Sequence, residues 1–315
     1  MATDKRSADT TNTNIGIDGT FWLNNTTNVQ GFVARSMTEG GQSGTAYRIA
    51  IDKTKRLWGL NLQHLMISDS VQTDMGFTLR TDVRRTDVFA RISPRPDVLG
   101  LRVVTFFLGG QHYVNTGGDL RDWNFGPFVS FDWESGESLS FFYSPGETVL
   151  EEAFTLADRV EIDSMRYDLA FTGGFFSTSP SRAIVLSLDG THQKIYGGEI
   201  INLGANLGTA IGSHLNLEFG YSHNRVDIPK PGGKFNADVG RLKLSYAFST
   251  KLFANLLVQY NSLDNAFSSN LRLNFIHRPG SDLFLVLNDN RGTEQSIWDR
   301  QLRDVILKMT YLHRL

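Results

Sequence analysis

The chain has 315 residues, a net charge of −2 at pH 7, no cysteine and a mean hydropathy of −0.22. No stretch approaches the roughly 18 consecutive apolar residues of a membrane-crossing helix, which excludes a helical membrane protein. The near-balanced charge, without a basic stripe interleaved with aromatics, gives no reason to expect a nucleic-acid partner.

What the chain has instead is period-two alternation, read here in order. Residues 16–23 and 29–34 flank a break at Asn24-Asn25, and 47–52 and 57–65 flank Lys53-Thr54-Lys55. Residues 87–92 and 101–108 flank Pro94-Arg95-Pro96, and 125–133 and 138–143 flank Ser135-Gly136-Glu137. Residues 167–176 and 183–191 flank Ser179-Pro180-Ser181, and 201–211 and 215–221 flank Gly212-Ser213. In the last of these, Leu215, Leu217, Phe219 and Tyr221 share one face; Asn216, Glu218, Gly220 and Ser222 share the other. The final third repeats the pattern. Residues 243–248 and 252–260 flank Thr250-Lys251, 270–275 and 283–287 flank Pro279-Gly280, and 305–313 closes the chain. Strict alternation describes a strand with one wet and one apolar face.

Between these short breaks lie longer polar segments at 68–85, 111–122, 147–164, 223–235, 262–269 and 288–303. Alternating short and long connections predict an all-β fold, an antiparallel transmembrane β-barrel of about 16 to 18 strands with short periplasmic turns and longer outer loops. Eight short turns join sixteen strands, and 305–313 makes a seventeenth. An odd count starts the chain on the outer face. Residues 1–12 are then the expected tail of an outer loop, and 13–315 a single barrel domain incomplete at its N-terminal side. Met1 to Ser7 lacks the apolar core of a secretory leader, which gives the same expectation of a longer parent protein.

Three passages carry a resemblance: Asp74-Met75-Gly76-Phe77 through Arg84-Arg85 to Ser93-Pro94-Arg95-Pro96; Phe142-Tyr143-Ser144-Pro145 with Leu150-Glu151-Glu152-Ala153-Phe154; and Asn274-Phe275-Ile276-His277-Arg278-Pro279-Gly280-Ser281-Asp282-Leu283-Phe284. Together they resemble the C-terminal β-barrel domain of the uncharacterised bacterial outer-membrane proteins that carry an N-terminal family 9 carbohydrate-binding-like module. The resemblance spans essentially the whole chain. It implies an outer-membrane location and an association with glycan binding through a module absent here, and it transfers no catalytic or sugar-binding residue.

The candidates for chemistry are few. The seven histidines (His64, His112, His192, His214, His223, His277 and His313) are scattered and lack metal-ligand spacing, so no metal is expected. A Gly-x-Ser-x-Gly nucleophile motif is absent, although His223, after a strand end and with serines near in sequence, is a candidate base for a serine nucleophile. Arg80, Arg84, Arg85, Arg91 and Arg95 form a basic cluster, readable as an anion-attracting lumen lining or as ion pairing with Asp82, Asp87 and Asp132. Trp123 and Trp298, expected on outer loops, are candidate sugar-stacking platforms, although aromatics near strand ends more commonly form interfacial girdles. The acidic residues of 147–163 and the run Asn288 to Gly292 lack a calcium-loop spacing.

The functional expectation is a membrane anchor or conduit associated with glycan binding or uptake. Its expected partners are outer-membrane lipid, the barrel-assembly machinery and glycans, and no cofactor is expected. The alternatives are an envelope or extracellular glycan-processing enzyme component, and a soluble all-β lectin-like binding protein.

Overall fold

The computed structural model describes residues 2–6, 11–38, 40–41, 43–73, 80–292 and 299–312, with the backbone alone for 299–301. Among these, every regular element is a strand: β1 (Ala2–Arg6), β2 (Thr11–Asn24), β3 (Thr27–Thr38), β4 (Gly44–Thr54), β5 (Trp58–Ile67), β6 (Val83–Ile92), β7 (Leu101–Val114), β8 (Leu120–Trp133), β9 (Ser138–Val149), β10 (Phe154–Leu156), β11 (Val160–Ile162), β12 (Arg166–Ser177), β13 (Ile184–Ile195), β14 (Gly198–Ile211), β15 (Leu215–Asp227), β16 (Lys234–Ala247), β17 (Leu252–Asn261), β18 (Ala266–Arg278), β19 (Ser281–Gly292) and β20 (Asp299–Thr310). Eighteen strands form one sheet, and β10 and β11 form a hairpin of their own. This is the antiparallel meander of a transmembrane β-barrel, with a sheet that is not closed. The chain divides into two compact units: Met1–Asp132 with Ser140–Thr172 and Lys194–Gly197, and Trp133–Leu139 with Gly173–Gln193 and Gly198–Leu315.

In the first unit the registers sort the side chains cleanly. Phe21, Val29, Ile51, Leu62 and Val88 stand side by side across β2 to β6. One residue along, on the opposite face, stand Thr20, Gln30, Ala50, Gln63, Asp87 and Gln111. The second unit repeats the division. Leu217, Leu244, Leu256, Leu271, Leu287 and Val305 make one row across β15 to β20. Glu218, Lys243, Leu257, Asn270, Asn288 and Asp304 make the adjacent row on the other face. Members of the apolar rows stand open to their surroundings among the described residues: Phe21 is 68% exposed and Val305 63%. A contiguous apolar face of this extent marks an interaction surface, and in a β-barrel it is the band that faces lipid.

The eight expected short breaks fall at or beside connections between strands, from Asn25-Thr26 between β2 and β3 to Pro279-Gly280 between β18 and β19; Lys53 and Thr54 end β4, and Pro94-Arg95-Pro96 lies in a longer connection, 93–100. The opposite connections differ from expectation. The ladder of β14 with β15 runs for thirteen pairs, from Glu199↔Asp227 to Ile211↔Leu215. Strands likewise occupy 111–114, 120–122, 223–227 and 266–269, which the sequence assigned to loops. Beyond the apolar band both faces of a strand are polar, so period two disappears while backbone pairing continues. Tyr196-Gly197, between β13 and β14, is a two-residue turn with φ of 56° and 73°, the left-handed pair of a type I′ hairpin, which no Asn-Gly or Asp-Gly signal announced. Residues 2–6, expected in the polar N-terminal segment, form β1 and pair with β2 from Ala2↔Ile15 to Arg6↔Thr11.

Two of the longer connections remain outside the main sheet in their described residues, 68–73 with 80–82, and 150–165. The second carries the β10–β11 hairpin. Val160 and Ile162 on β11 are fully buried, and Tyr196 makes edge-on contacts with Phe154 and Tyr167 at 5.6 and 5.5 Å. The hairpin is thus anchored by a small apolar core of its own. Ile162→Ala removes buried methylenes and is expected to destabilise that core by about 2–4 kcal/mol. Limited proteolysis reads it as new cleavage within 150–165.

Three glycines let adjacent strands approach. A Cβ on Gly110 would lie 1.9 Å from the Asn124 carbonyl oxygen, and one on Gly126 1.9 Å from that of Tyr143. On β9, a Cβ on Gly146 would lie 2.0 Å from the Trp123 carbonyl oxygen. The obstacle is backbone in each case, so no rotamer change relieves it. Gly126→Ala is expected to cost more than about 2 kcal/mol, seen as a lowered temperature at which the folded band is lost on an unboiled gel. An unchanged transition would show that β8 and β9 do not approach this closely.

Candidate functional site

The polar face of the first unit, towards the long connections, carries the densest set of charged and hydrogen-bonding groups. It begins with a strap, residues 68–73, laid against β2 to β4. Ser36 Oγ donates to the Gln72 carbonyl at 2.6 Å, and Asn12 Nδ2 donates to the same oxygen at 3.2 Å. Asn12 and Ser36 are only 2% and 3% exposed, so these bonds are shielded from water. A Cβ on Gly44 would lie 2.4 Å from the Val71 backbone, so this glycine makes room for the strap. Beside it lies a hollow of about 370 Å³, with Phe32, Leu65, Ile67 and Val83 as apolar wall and Arg80, Arg85 and Tyr113 as polar rim.

Below the strap runs a hydrogen-bonded chain along β4, β5 and β6. Arg48 Nε donates to Gln63 Oε1 at 2.6 Å, and Gln63 Nε2 donates to Asp87 Oδ2 at 2.9 Å. Arg85 Nε donates to Asp87 Oδ1 at 2.8 Å, and the Arg85 guanidinium stacks 5.1 Å from the Tyr113 ring. The Asp87 side chain is 3% exposed, a buried charge compensated on both oxygens. Arg85→Met leaves that carboxylate without its cation and is expected to cost about 3 kcal/mol. The double variant with Asp87→Asn should recover most of the loss, which a denaturation cycle measures.

Above it, opposite charges alternate between strand ends and connections. Arg80 pairs with Asp122 at 3.0 Å, and the Thr148 hydroxyl donates to the same carboxylate. Arg121 pairs with Glu151 and stands 3.9 Å from Asp82. Trp123 Nε1 donates to Glu147 at 3.1 Å, and Arg166 approaches that carboxylate at 3.9 Å. Each of these groups is partly exposed, so each pair contributes little alone; their shared members make a lattice that fixes the connections.

The five arginines proposed as a lining therefore do not assemble. Arg80 and Arg85 belong to the first unit's polar face, each beside an aspartate. Arg84 follows Val83 on β6 and takes the face opposite Arg85. Arg91 donates to Ser93 Oγ at 2.8 Å and to the Lys55 carbonyl at 3.0 Å, at the short-turn end of β6. Arg95 is exposed in the turn that follows. Trp123 lies within β8, not on an outer loop, because β8 begins at Leu120; its indole is half-buried and hydrogen-bonded. Trp298 lies outside the described residues. His223 is held by Asp238 at 2.7 Å, and Tyr221 donates to the same carboxylate oxygen at 2.7 Å. Asn12, Ser36, Gln72, Asp122 and Glu147 carry this region without any sequence signal, since their partners lie 24 to 60 residues away.

In the second unit the polar face is built over glycines. Asp189 covers Gly204, where a Cβ would meet its carboxylate at 2.3 Å, and Asn206 covers Gly220. With Arg241 and Gln259 these line a polar hollow of about 270 Å³. Among the described residues no group of three or more His, Asp or Glu is placed to hold a metal ion.

No protein-family model and no curated protein matches the chain. Among solved structures it is similar to a ferric enterobactin receptor from Pseudomonas aeruginosa, crystallised as a double mutant, with a TM-score of 0.50 and 8% sequence identity. The match covers 91% of this chain and 60% of the receptor, so the chain spans well under two thirds of the structure it resembles. At that identity the likeness concerns the fold, an outer-membrane receptor barrel.

Asp82, in the connection before β6, provides a pH test. The Thr116 hydroxyl and N–H both donate to its carboxylate, with Arg121 and Arg80 adding attraction, and hold its pKa below the ordinary value. A depressed folded pKa means the contact is complete above the unfolded value near ~3.9 and is lost only as pH falls through the folded value below it. In a carboxyl-carbon NMR titration Asp82 is expected to titrate below free aspartate, and Thr116→Val to move it upward. A midpoint unmoved by Thr116→Val would remove that hydroxyl as the cause.

Proposed function

We propose that this chain is the wall of a conduit in a bacterial outer membrane, anchored by its apolar face and passing small polar solutes along its polar one. The observation that carries the reading is the sorting of side chains by face. Leu217, Leu244, Leu256, Leu271 and Leu287 stand on one side of the same strands that carry Glu218, Lys243, Asn270 and Asn288 on the other. A soluble lectin-like sheet needs a second layer over the leucine row, whereas a membrane barrel needs none.

The association with glycan binding or uptake belongs to the same proposal and rests on the family resemblance. The polar face is compatible with it: amides such as Gln63 and Asn270 stand among charges that are paired, as in Arg80 with Asp122, Arg85 with Asp87 and Lys243 with Glu218. A lining of this kind offers hydrogen bonds to neutral hydroxylated solutes and no strong preference for ions of one sign.

Expression with an added secretion signal, followed by membrane fractionation and electrophoresis with and without boiling, tests the reading. The expected result is an outer-membrane band whose mobility shifts on boiling, together with liposome swelling in small neutral sugars. Recovery of a folded, soluble β-sheet protein would overturn it.

A further inference from the structure

We propose that the apolar face of β6 to β9 holds one phospholipid, its acyl chain in a hollow of the sheet and its phosphate against Lys53 and Lys55. The inference rests on the membrane reading above and goes beyond it, since an evenly apolar wall contacts lipid without selecting any molecule. The hollow measures about 690 Å³ and is lined by Ile92, Phe106, Leu108, Pro127, Phe141 and Tyr143, among others. Ile92, Phe106 and Leu108 belong to the apolar face by register: Ile92 pairs with Phe106, and Ala90 with Leu108, on the same side as Val88 and Leu62. Each of the three is about half exposed, so none of the described residues fills the space between them.

One end of the hollow is marked by charge. Ile92 pairs across strands with Trp58. The Lys53 and Lys55 ammonium groups stand over the Trp58 ring, 5.4 and 5.5 Å from its centroid. One strand spacing, about 4.8 Å, therefore separates the apolar lining from an indole flanked by two cations. Trp58 is the first residue of β5, at the short-turn end, where a membrane-water interface places amphipathic rings. An acyl chain entering from that end places its ester and phosphate beside the indole and the two lysines. Arg102, on β7 in alternation with Phe106, adds a third cation on this face. The pairing of an apolar slot with basic groups at headgroup depth is the chemistry that selects an anionic lipid.

The test uses folded, heat-modifiable protein, delipidated in detergent and incubated with phosphatidylglycerol or with phosphatidylcholine, then examined by native mass spectrometry. The parent is expected to retain one phosphatidylglycerol in preference to phosphatidylcholine. Lys53→Gln with Lys55→Gln, the first at a half-buried position and the second at an exposed one, should weaken the preference by about fivefold for each lysine. Leu108→Trp, which fills the slot, should abolish retention of both lipids while the band shift on boiling persists. Equal retention by parent and both variants, or retention without headgroup preference, overturns the proposal and leaves the conduit reading intact. A protein with no heat-modifiable form overturns both.

Discussion

In hydrocarbon no water is present to satisfy a backbone amide, and that constraint governs the whole chain. Each N–H and C=O at membrane depth must find a partner within the protein, which leaves the antiparallel ladder as the solution for a sequence without long apolar helices. The ladders here are correspondingly long, thirteen pairs between β14 and β15 and thirteen between β15 and β16. Local side-chain chemistry is subordinate to this. Asp227, Asn224 and Arg225 are not strand-forming residues by preference, yet all three lie in β15 because their backbones are paired on both sides.

Given the ladder, the two faces have separate tasks. The apolar one needs no packing partner where its solvent is lipid. The polar one must solve a harder problem, since charges taken out of water need compensation. Asp87 shows the solution at its most complete, with Arg85 on one oxygen and Gln63 on the other. Glycine takes part in the same economy of space. Asp189 lies over Gly204 and Asn206 over Gly220, so polar side chains lie flat where a methyl group would hold them off the sheet.

These physical divisions explain what was legible in the sequence. The eight short turns were, because Gly, Pro, Asn and Ser in the right place are a local property. So was the apolar face wherever it alternated strictly, as in Leu215 to Tyr221. Strand ends were not legible, because beyond the apolar band nothing in the side chains reports that the ladder continues. Trp123 was assigned to a loop for this reason. The five arginines, close in sequence, were read as one cluster; a strand of ten residues carries them to two faces and two ends. Arg80 finds its carboxylate at Asp122, forty-two positions on.

Pairing over such distances also accounts for the character of the long connections. The 68–73 strap has no regular structure, yet Ser36 and Asn12 hold its backbone from β2 and β3, and Gly44 on β4 makes the space it occupies. The 150–165 segment is stabilised by the opposite means, a dry core of Val160 and Ile162 with Phe154, Tyr167 and Tyr196 in edge-on contact around it. Both devices set loops upon a polar face without requiring the loops to be strands. Fixing them there removes conformational freedom that a solvated loop retains, a cost of about 1–2 kcal/mol for each ordered residue. Buried amide contacts in the first connection and a small apolar core in the second offset that cost, so each holds a fixed position that its own sequence would not give it.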